Sequence, residues 1–423
     1  MITVQTQSGT DIQLMTQLGE GGQGEVWKGN YNGCDVAVKL YFPNMNTTSQ
    51  LNAIQRLVAQ GSPSKEFLWP KDIVTEKNTG RFGYIMPIRP HDFYPISAFL
   101  ARKVTPSFRT LLKTCENLAR AFQALHAQGL CYRDISDGNV FFHPKNGDIL
   151  ICDNDNVDIS GSTVGGILGT PRYMAPEIVR SEKMPDDTTD RYSLAVLLFL
   201  LLYGGHPLDG EKEANIRCLD LPALEKLYGT EPIYIWDPQN KNNRPVPEIH
   251  TNPIIFQSIY PKAIQELFLT SFTDGLRFPR CRIRESQWIK VFQQAQDLCY
   301  NCSCSAENFY DANQTIICWR CKKPIPEPLM LQVNNNIILL SAGVLISGRH
   351  MNNRFVRESI GKVVPHPKDA NLLGLQNLSN DNWTLQKPDG SIIDVPPRKS
   401  APLIQGNRIN FGLERATVQV GQA

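Results

Sequence analysis

The reading of this chain turns on Leu130–Asp155, LCYRDISDGNVFFHPKNGDILICDND. Arg133 and Asp134 are followed five residues on by Asn139. A short polar turn, Pro144–Gly147, leads into the apolar run Ile149–Cys152, which ends at Asp153. Two metal-capable side chains and one carboxylate base therefore fall on two closely spaced loops. That pattern suits chemistry on a phosphate held by a divalent ion, where positioning and charge neutralisation carry most of the catalysis.

Composition bounds what surrounds this stretch. The 423 residues suffice for roughly two to four domains. Charge is nearly balanced, with 43 basic and 41 acidic residues, which argues against nucleic acid or an anionic membrane as the main partner. The polar start, MITVQTQSGTDIQL, has no apolar signal core, so a cytoplasmic location is expected. The most apolar run, Ser193–Gly205, is well short of the ~20 residues of a membrane span and predicts a buried helix. Of the eleven cysteines, six are scattered and five cluster between Cys299 and Cys321, which fits one metal site and no disulfide framework.

Upstream, residues 1–40 alternate in short runs, as strands do. Between two runs lies LGEGGQGEVWKG, where Gly19, Gly21 and Gly24 form G-x-G-x-x-G and Val26 follows. Glycines let a backbone approach phosphate oxygens and offer them N–H groups. The next strand reads Val36-Ala37-Val38-Lys39. A lysine-bearing strand after the glycine loop, where a Rossmann unit would have a helix, resembles the nucleotide lobe of protein kinases. By that resemblance Lys39 grips the α/β-phosphates of ATP, and Met86 in the strand-like RFGYIMPI (81–88) lines the pocket.

Downstream, a helical pattern from Phe108 to Gln128 ends at Gly129. The opening stretch then resembles the H-R-D-L-x-x-x-N motif of eukaryotic-like (Hanks-type) bacterial serine/threonine protein kinases. The resemblance implies that Asp134 is the base and that Asn139 and Asp153 hold Mg²⁺. Ala175-Pro176-Glu177 follows the Gly/Ser/Thr-rich segment 160–170, Asp190 opens the apolar helix, and Arg282 matches the arginine that pairs with the A-P-E glutamate. Four departures stand out. Tyr132 replaces histidine, Ser136 replaces a lysine, Asn154-Asp155 replaces Phe-Gly, and the helix Ser49–Gln60 has no acidic residue to pair with Lys39. Gln55 lies at a plausible spacing on that helix, and Glu66 and Glu76 come later. Phosphate on Ser160, Ser162, Thr163 or Thr170 would be expected to pair with Arg133.

Two C-x₂-C pairs, Cys299/Cys302 and Cys318/Cys321, lie fifteen residues apart and predict a structural zinc ribbon, with Cys304 a spare. After a proline-rich linker the tail alternates in short runs, with Asp389-Gly390 a hairpin signal, and resembles a forkhead-associated (FHA) sandwich. Arg349, Ser379 and Asn380 are its candidate phosphopeptide contacts, although no Ser-x-x-His turn is present.

The expectation is an α+β chain: kinase N-lobe 1–88, C-lobe 89–297, zinc ribbon 298–326 and an all-β FHA-like sandwich 327–423. Its ligands would be ATP, Mg²⁺ and structural Zn²⁺, and its substrates protein hydroxyls. The order of modules resembles kinases encoded beside a von Willebrand-A protein and a PP2C-type phosphatase in tellurium-resistance-type operons, which makes those proteins candidate partners. The rival reading is a pseudokinase scaffold, favoured by Ser136 and the missing helix glutamate.

Overall fold

The computed structural model describes residues 2–161, 168–313, 315–333, 336–351, 359–412 and 415–420. The chain forms two compact units, Met1–Ser258 with Lys262–Phe292, and Ile259–Pro261 with Gln293–Ala423.

The first unit opens with six antiparallel strands: β1 (Thr3–Thr6), β2 (Asp11–Glu20), β3 (Gly24–Tyr31), β4 (Cys34–Tyr41), β5 (Asp72–Glu76) and β6 (Phe82–Pro87). They close into a barrel in the order β1-β2-β3-β4-β6-β5. Alternation is the cause: Val4, Ile12, Leu14, Val36, Val38, Leu40, Val74 and Ile85 all point into one core. Helix α1 (Thr48–Gln60) starts where the Thr47 hydroxyl accepts from the Gln50 N–H, and it buries Ile54 and Leu57.

The rest of the unit is mainly helical. Helix α2 (Phe108–His126) is capped by Ser107, and Gly129 takes φ +72° soon after its end. Helix α3 (Asp187–Tyr203) carries a reciprocal capping box between Asp186 and Thr189, and Gly204 ends it in the left-handed region. From Thr189 to Tyr203 every residue of α3 but Arg191 is buried, as an all-apolar helix should be. Truncating one of its leucines to alanine would cost about 2–5 kcal/mol. Among the described residues no helix is long and apolar enough to cross a membrane.

Between α2 and α3 lies the hairpin that positions the chemistry. Strands β7 (Val140–Phe142) and β8 (Ile149–Ile151) pair antiparallel. The Cys152 N–H donates to the Asn139 carbonyl at 3.0 Å, so Asn139 and Asp153 emerge side by side. Beside them Leu130–Cys131 pairs with Asp158–Ile159.

In the second unit, Cys299–Asn301 pairs with Glu307–Phe309. The tail forms a six-stranded and a four-stranded sheet, all of whose pairs are antiparallel. Leu331, Val363, Leu375, Trp383, Leu385 and Ile409, drawn from both sheets, share one buried core. The Asp389-Gly390 turn joins Trp383–Gln386 to Ile392–Val395 with Gly390 at φ +87°.

Candidate active site and cysteine cluster

The glycine loop is the β2–β3 hairpin, closed by the Gly21 N–H on the Gly24 carbonyl at 2.9 Å. Its glycines serve different ends. A Cβ at Gly24 would lie 2.1 Å from the Leu40 carbonyl oxygen, so that glycine is needed for β3 to pack on β4. At Gly19 and Gly21 a Cβ would meet nothing within 4 Å, leaving backbone open to an incoming phosphate. Val26 pairs with Lys39 across β3–β4, and buried Met86 pairs with Ala37 across β4–β6. Three adjacent strands thus gather the residues expected at the nucleotide.

The catalytic loop is held from below. Asp190 accepts the Tyr132 N–H at 2.6 Å and the Arg133 N–H at 3.0 Å. Both Arg133, at φ +73°, and Asp153, at φ +49°, adopt the left-handed backbone. Such conformations cost about 1–3 kcal/mol each and persist where the surroundings enforce them. The Asn139 amide donates to the Asp134 carboxylate at 3.0 Å and to its carbonyl at 2.9 Å. Its Oδ1 is then the atom available to a cation. The Thr170 hydroxyl donates to the other Asp134 oxygen at 2.8 Å. Tyr132, wholly buried, donates its hydroxyl to the Cys152 carbonyl and so ties the catalytic loop to Asp153. Arg282 grips Glu177 through two bonds of 2.7 and 2.8 Å, as the sequence led us to expect.

Around Lys39 the structure answers what the sequence left open. Its Nζ lies 2.8 Å from Asp155, 3.5 Å from Asp153 and 3.3 Å from the Gln23 amide of the glycine loop. The candidates considered from the sequence do not meet it. Gln55 is exposed, Glu76 is engaged by Arg81 at 2.7 Å, and Glu66 gives its carbonyl to the Ile151 N–H. The segment 153–158 is not a solvated acidic loop either, for a tight turn at Asn154–Asn156 buries Asn154 and Asp155. Burial alone would lower the pKa of Lys39, and the two carboxylates reverse this, holding it above the ordinary lysine value. Burial raises Asp153 against the pull of Lys39, and the charge of Asp155 adds to the rise. The periodicity of α1 could not reveal Asp155, because the partner comes from a turn more than a hundred residues away.

The expected loop phosphates find a different arrangement. Arg133 pairs with Asp158 at 2.9 Å, and Arg56 of α1 lies 3.6 Å from the same carboxylate. Thr170 is engaged by Asp134, and the Ser160 hydroxyl accepts the Asp187 N–H at 3.0 Å. Ser162 and Thr163 lie outside the described residues.

The cysteines require a correction. Cys302, Cys304, Cys318 and Cys321 have all four sulfurs within 4.8 Å of one another. Cys302 and Cys321 are 3.6 Å apart and Cys304 and Cys318 3.7 Å, near the ~3.8 Å edge of a ZnS₄ tetrahedron with 2.3 Å bonds. Cys304, the spare, belongs to this group. Cys299 does not: it is wholly buried in a strand, opposite Phe309. The physical reason is the knuckle, where Cys302 accepts the Ser305 N–H and donates to the Ala306 carbonyl, both at 2.8 Å. Ser305 at φ +66° turns the chain so that a C-x-C spacing converges. Along extended chain, residues three apart face opposite ways. Trp319, Ile325, Met330 and Leu339 pack around the sulfurs, so the knuckles share a core with the first tail strands.

In the tail, Arg349 makes a bidentate pair with Asp297 at 2.6 and 2.8 Å, and His350 reaches the same carboxylate. Ser379 accepts the Trp383 indole N–H at 3.1 Å and donates to Asn377. Both residues serve internal bonds.

Comparison with known proteins bears on this geometry. The family described as protein kinase domain matches residues 12–302, more than two thirds of the chain. Serine/threonine-protein kinase Pkn1 of Myxococcus xanthus is 28% identical over 47% of this chain and 30% of its own length. The DNA damage-responsive serine/threonine-protein kinase RqkA of Deinococcus radiodurans is 27% identical over 48% of the chain and 31% of its own. Serine/threonine-protein kinase PknA of Mycobacterium tuberculosis is 28% identical over 47% and 48%. The chain thus spans about a third to a half of the length of these curated relatives.

Proposed function

The chain belongs to the protein kinase family, and from that premise we propose that it transfers the γ-phosphoryl group of ATP to serine and threonine hydroxyls of proteins. One observation carries the reading: Asp134 is oriented by Asn139 while already accepting a threonine hydroxyl at 2.8 Å. A substrate hydroxyl meeting that oxygen would find the base for its proton. Lys39 and the open backbone at Gly19 and Gly21 would bind the phosphates, with Val26 and Met86 against the rest of the nucleotide. Asn139 Oδ1 and the half-exposed Asp153 carboxylate suit a hard cation, and Mg²⁺ bound there would neutralise the charge developing on the phosphates. Label from γ-labelled ATP should reach serine or threonine of a generic acceptor protein only with Mg²⁺. Asp153→Asn should reduce it by at least about a hundredfold. Label that persists in chelator, or in Asp153→Asn, contradicts the proposal.

A scaffold that binds nucleotide without transfer is the second reading. Ser136, buried where the family has a lysine, is the observation that favours it. Nucleotide binding with no label transfer under any condition would support it.

The remaining assignments are of the same kind. Zn²⁺ bound by Cys302, Cys304, Cys318 and Cys321 would leave no open position, so its role would be structural. The paired antiparallel sheets support an FHA-like tail, but with Arg349 and Ser379 engaged internally the tail acts as a structural or protein-docking module. A cytoplasmic location, and partnership with a von Willebrand-A protein and a PP2C-type phosphatase, rest on sequence composition and module order alone.

A further inference from the structure

In protein kinases the lysine that grips the ATP phosphates is paired with a carboxylate, which fixes an ammonium carried on a flexible four-carbon stem. Helix α1, where protein kinases carry that carboxylate, has none. The structure supplies one from elsewhere. Asp155 Oδ2 lies 2.8 Å from Lys39 Nζ and accepts the Tyr41 hydroxyl at 2.5 Å. That hydroxyl in turn accepts the Gln50 side-chain N–H of α1 at 3.1 Å. The Asp155 side chain is fully buried, whereas that of Asp153 is 44% exposed. The two aspartates of one short turn are therefore separated by environment: Asp153 faces outward, where a cation can reach it, and Asp155 faces inward on the lysine. The other oxygen of Asp155 has no hydrogen-bond partner among the described residues. A half-satisfied buried carboxylate is costly to keep unless a charge offsets it, and Lys39 is that charge.

We propose that Asp155 is the positioning residue that holds Lys39 on the nucleotide phosphates in place of a helix carboxylate, and that Gln50 reports the placement of α1 to it through Tyr41. The turn 153–155 then sets the metal ligand and the lysine together, so displacing it disables both. Helix α1 contributes a neutral relay and no carboxylate to the lysine. This inference rests on the phosphoryl-transfer reading for its consequence, but its geometry can be tested by binding alone.

The test is a double-mutant cycle on the full chain, using a fluorescent ATP analogue with Mg²⁺ and, in parallel, label transfer. Asp155→Asn keeps the shape and removes the charge. It should weaken analogue binding and kcat/KM for ATP to the same degree as Lys39→Met, with KM for the protein acceptor unchanged. The double variant should be no worse than the poorer single one, because both remove one interaction. Gln50→Ala should reduce kcat/KM several-fold. Wild-type behaviour in Asp155→Asn, or effects that multiply with those of Lys39→Met, overturns the proposal. Should Asp155→Asn fail to fold, the same cycle with Tyr41→Phe decides on the same criterion. If wild type binds the analogue but transfers nothing, the transfer reading falls and the binding cycle still decides the role of Asp155. If wild type binds no nucleotide, both fall.

Discussion

At the scale of single residues, the departures from the kinase pattern acquire physical roles. Tyr132 replaces a histidine, yet its hydroxyl reaches the carbonyl before Asp153 and so links the two loops. Cys304 takes the place expected of Cys299. With zinc proposed at one per chain, metal analysis of the purified proteins should find it in wild type and in Cys299→Ser and find it lost from Cys304→Ser. Zinc retained by Cys304→Ser and lost from Cys299→Ser would reverse the assignment. The buried Arg282–Glu177 pair makes a second prediction. Arg282→Met should destabilise the first unit by about 3–5 kcal/mol in urea unfolding, because it leaves a carboxylate buried and unpaired. That Asp134, Asn139, Asp153 and Lys39 would lie close together was legible in the sequence, because two loops and one strand carry them; their catalytic and metal roles stand as proposed. Asp155 and Cys304 were not legible, since a buried turn and a tight knuckle override simple spacing.

At the scale of elements, a buried histidine ties α2 to Asp190, the α3 residue that holds the catalytic loop. His126 of α2 lies 3.0 Å from Asp190 and 2.8 Å from Glu285, and Arg191 lies 3.0 Å from Glu285. Burial opposes its charge, but the two carboxylates prevail and raise its pKa to about 9, while Glu285 falls to about 2. A raised histidine stabilises the fold fully below its ordinary pKa of 6.5 and loses that contribution as pH rises through about 9. The stability difference between wild type and His126→Asn should therefore shrink between these values, measured as urea midpoints across pH. A constant difference would contradict the charged triad. The segment from Asp153 to Asp158 makes another prediction. Because Asp158 already occupies Arg133, phosphatase-treated protein should keep its transfer activity, and Asp158→Ala should lower it several-fold. Activity lost on phosphatase treatment would restore the expected loop phosphate. Helix α2 was readable from its periodicity and the glycine beyond it, α3 from its apolar run, and β8 from the apolar run before Asp153. The path from α1 to Lys39 was not, because Gln50 bonds Tyr41 of the lysine's own strand and the two meet only at Asp155, on a turn far along the chain.

At the scale of the whole molecule, the match to the protein kinase family covers residues 12–302, and the described strands from Leu329 onward form two antiparallel sheets on one core. The alternating runs of the tail announced its strands, since one face of each sheet is buried. The division between ribbon and sandwich was less legible: Met330 and Leu339 of the tail strands pack with Cys302 and Cys318. The central claim is that Asp134 is the base of a phosphoryl transfer. Its most direct test is the rate of label transfer from γ-labelled ATP to protein serine and threonine by wild type and by Asp134→Asn under saturating Mg²⁺ and nucleotide. The account predicts a fall of about 10²–10⁴-fold in kcat with nucleotide binding retained; equal rates in the two proteins would contradict it.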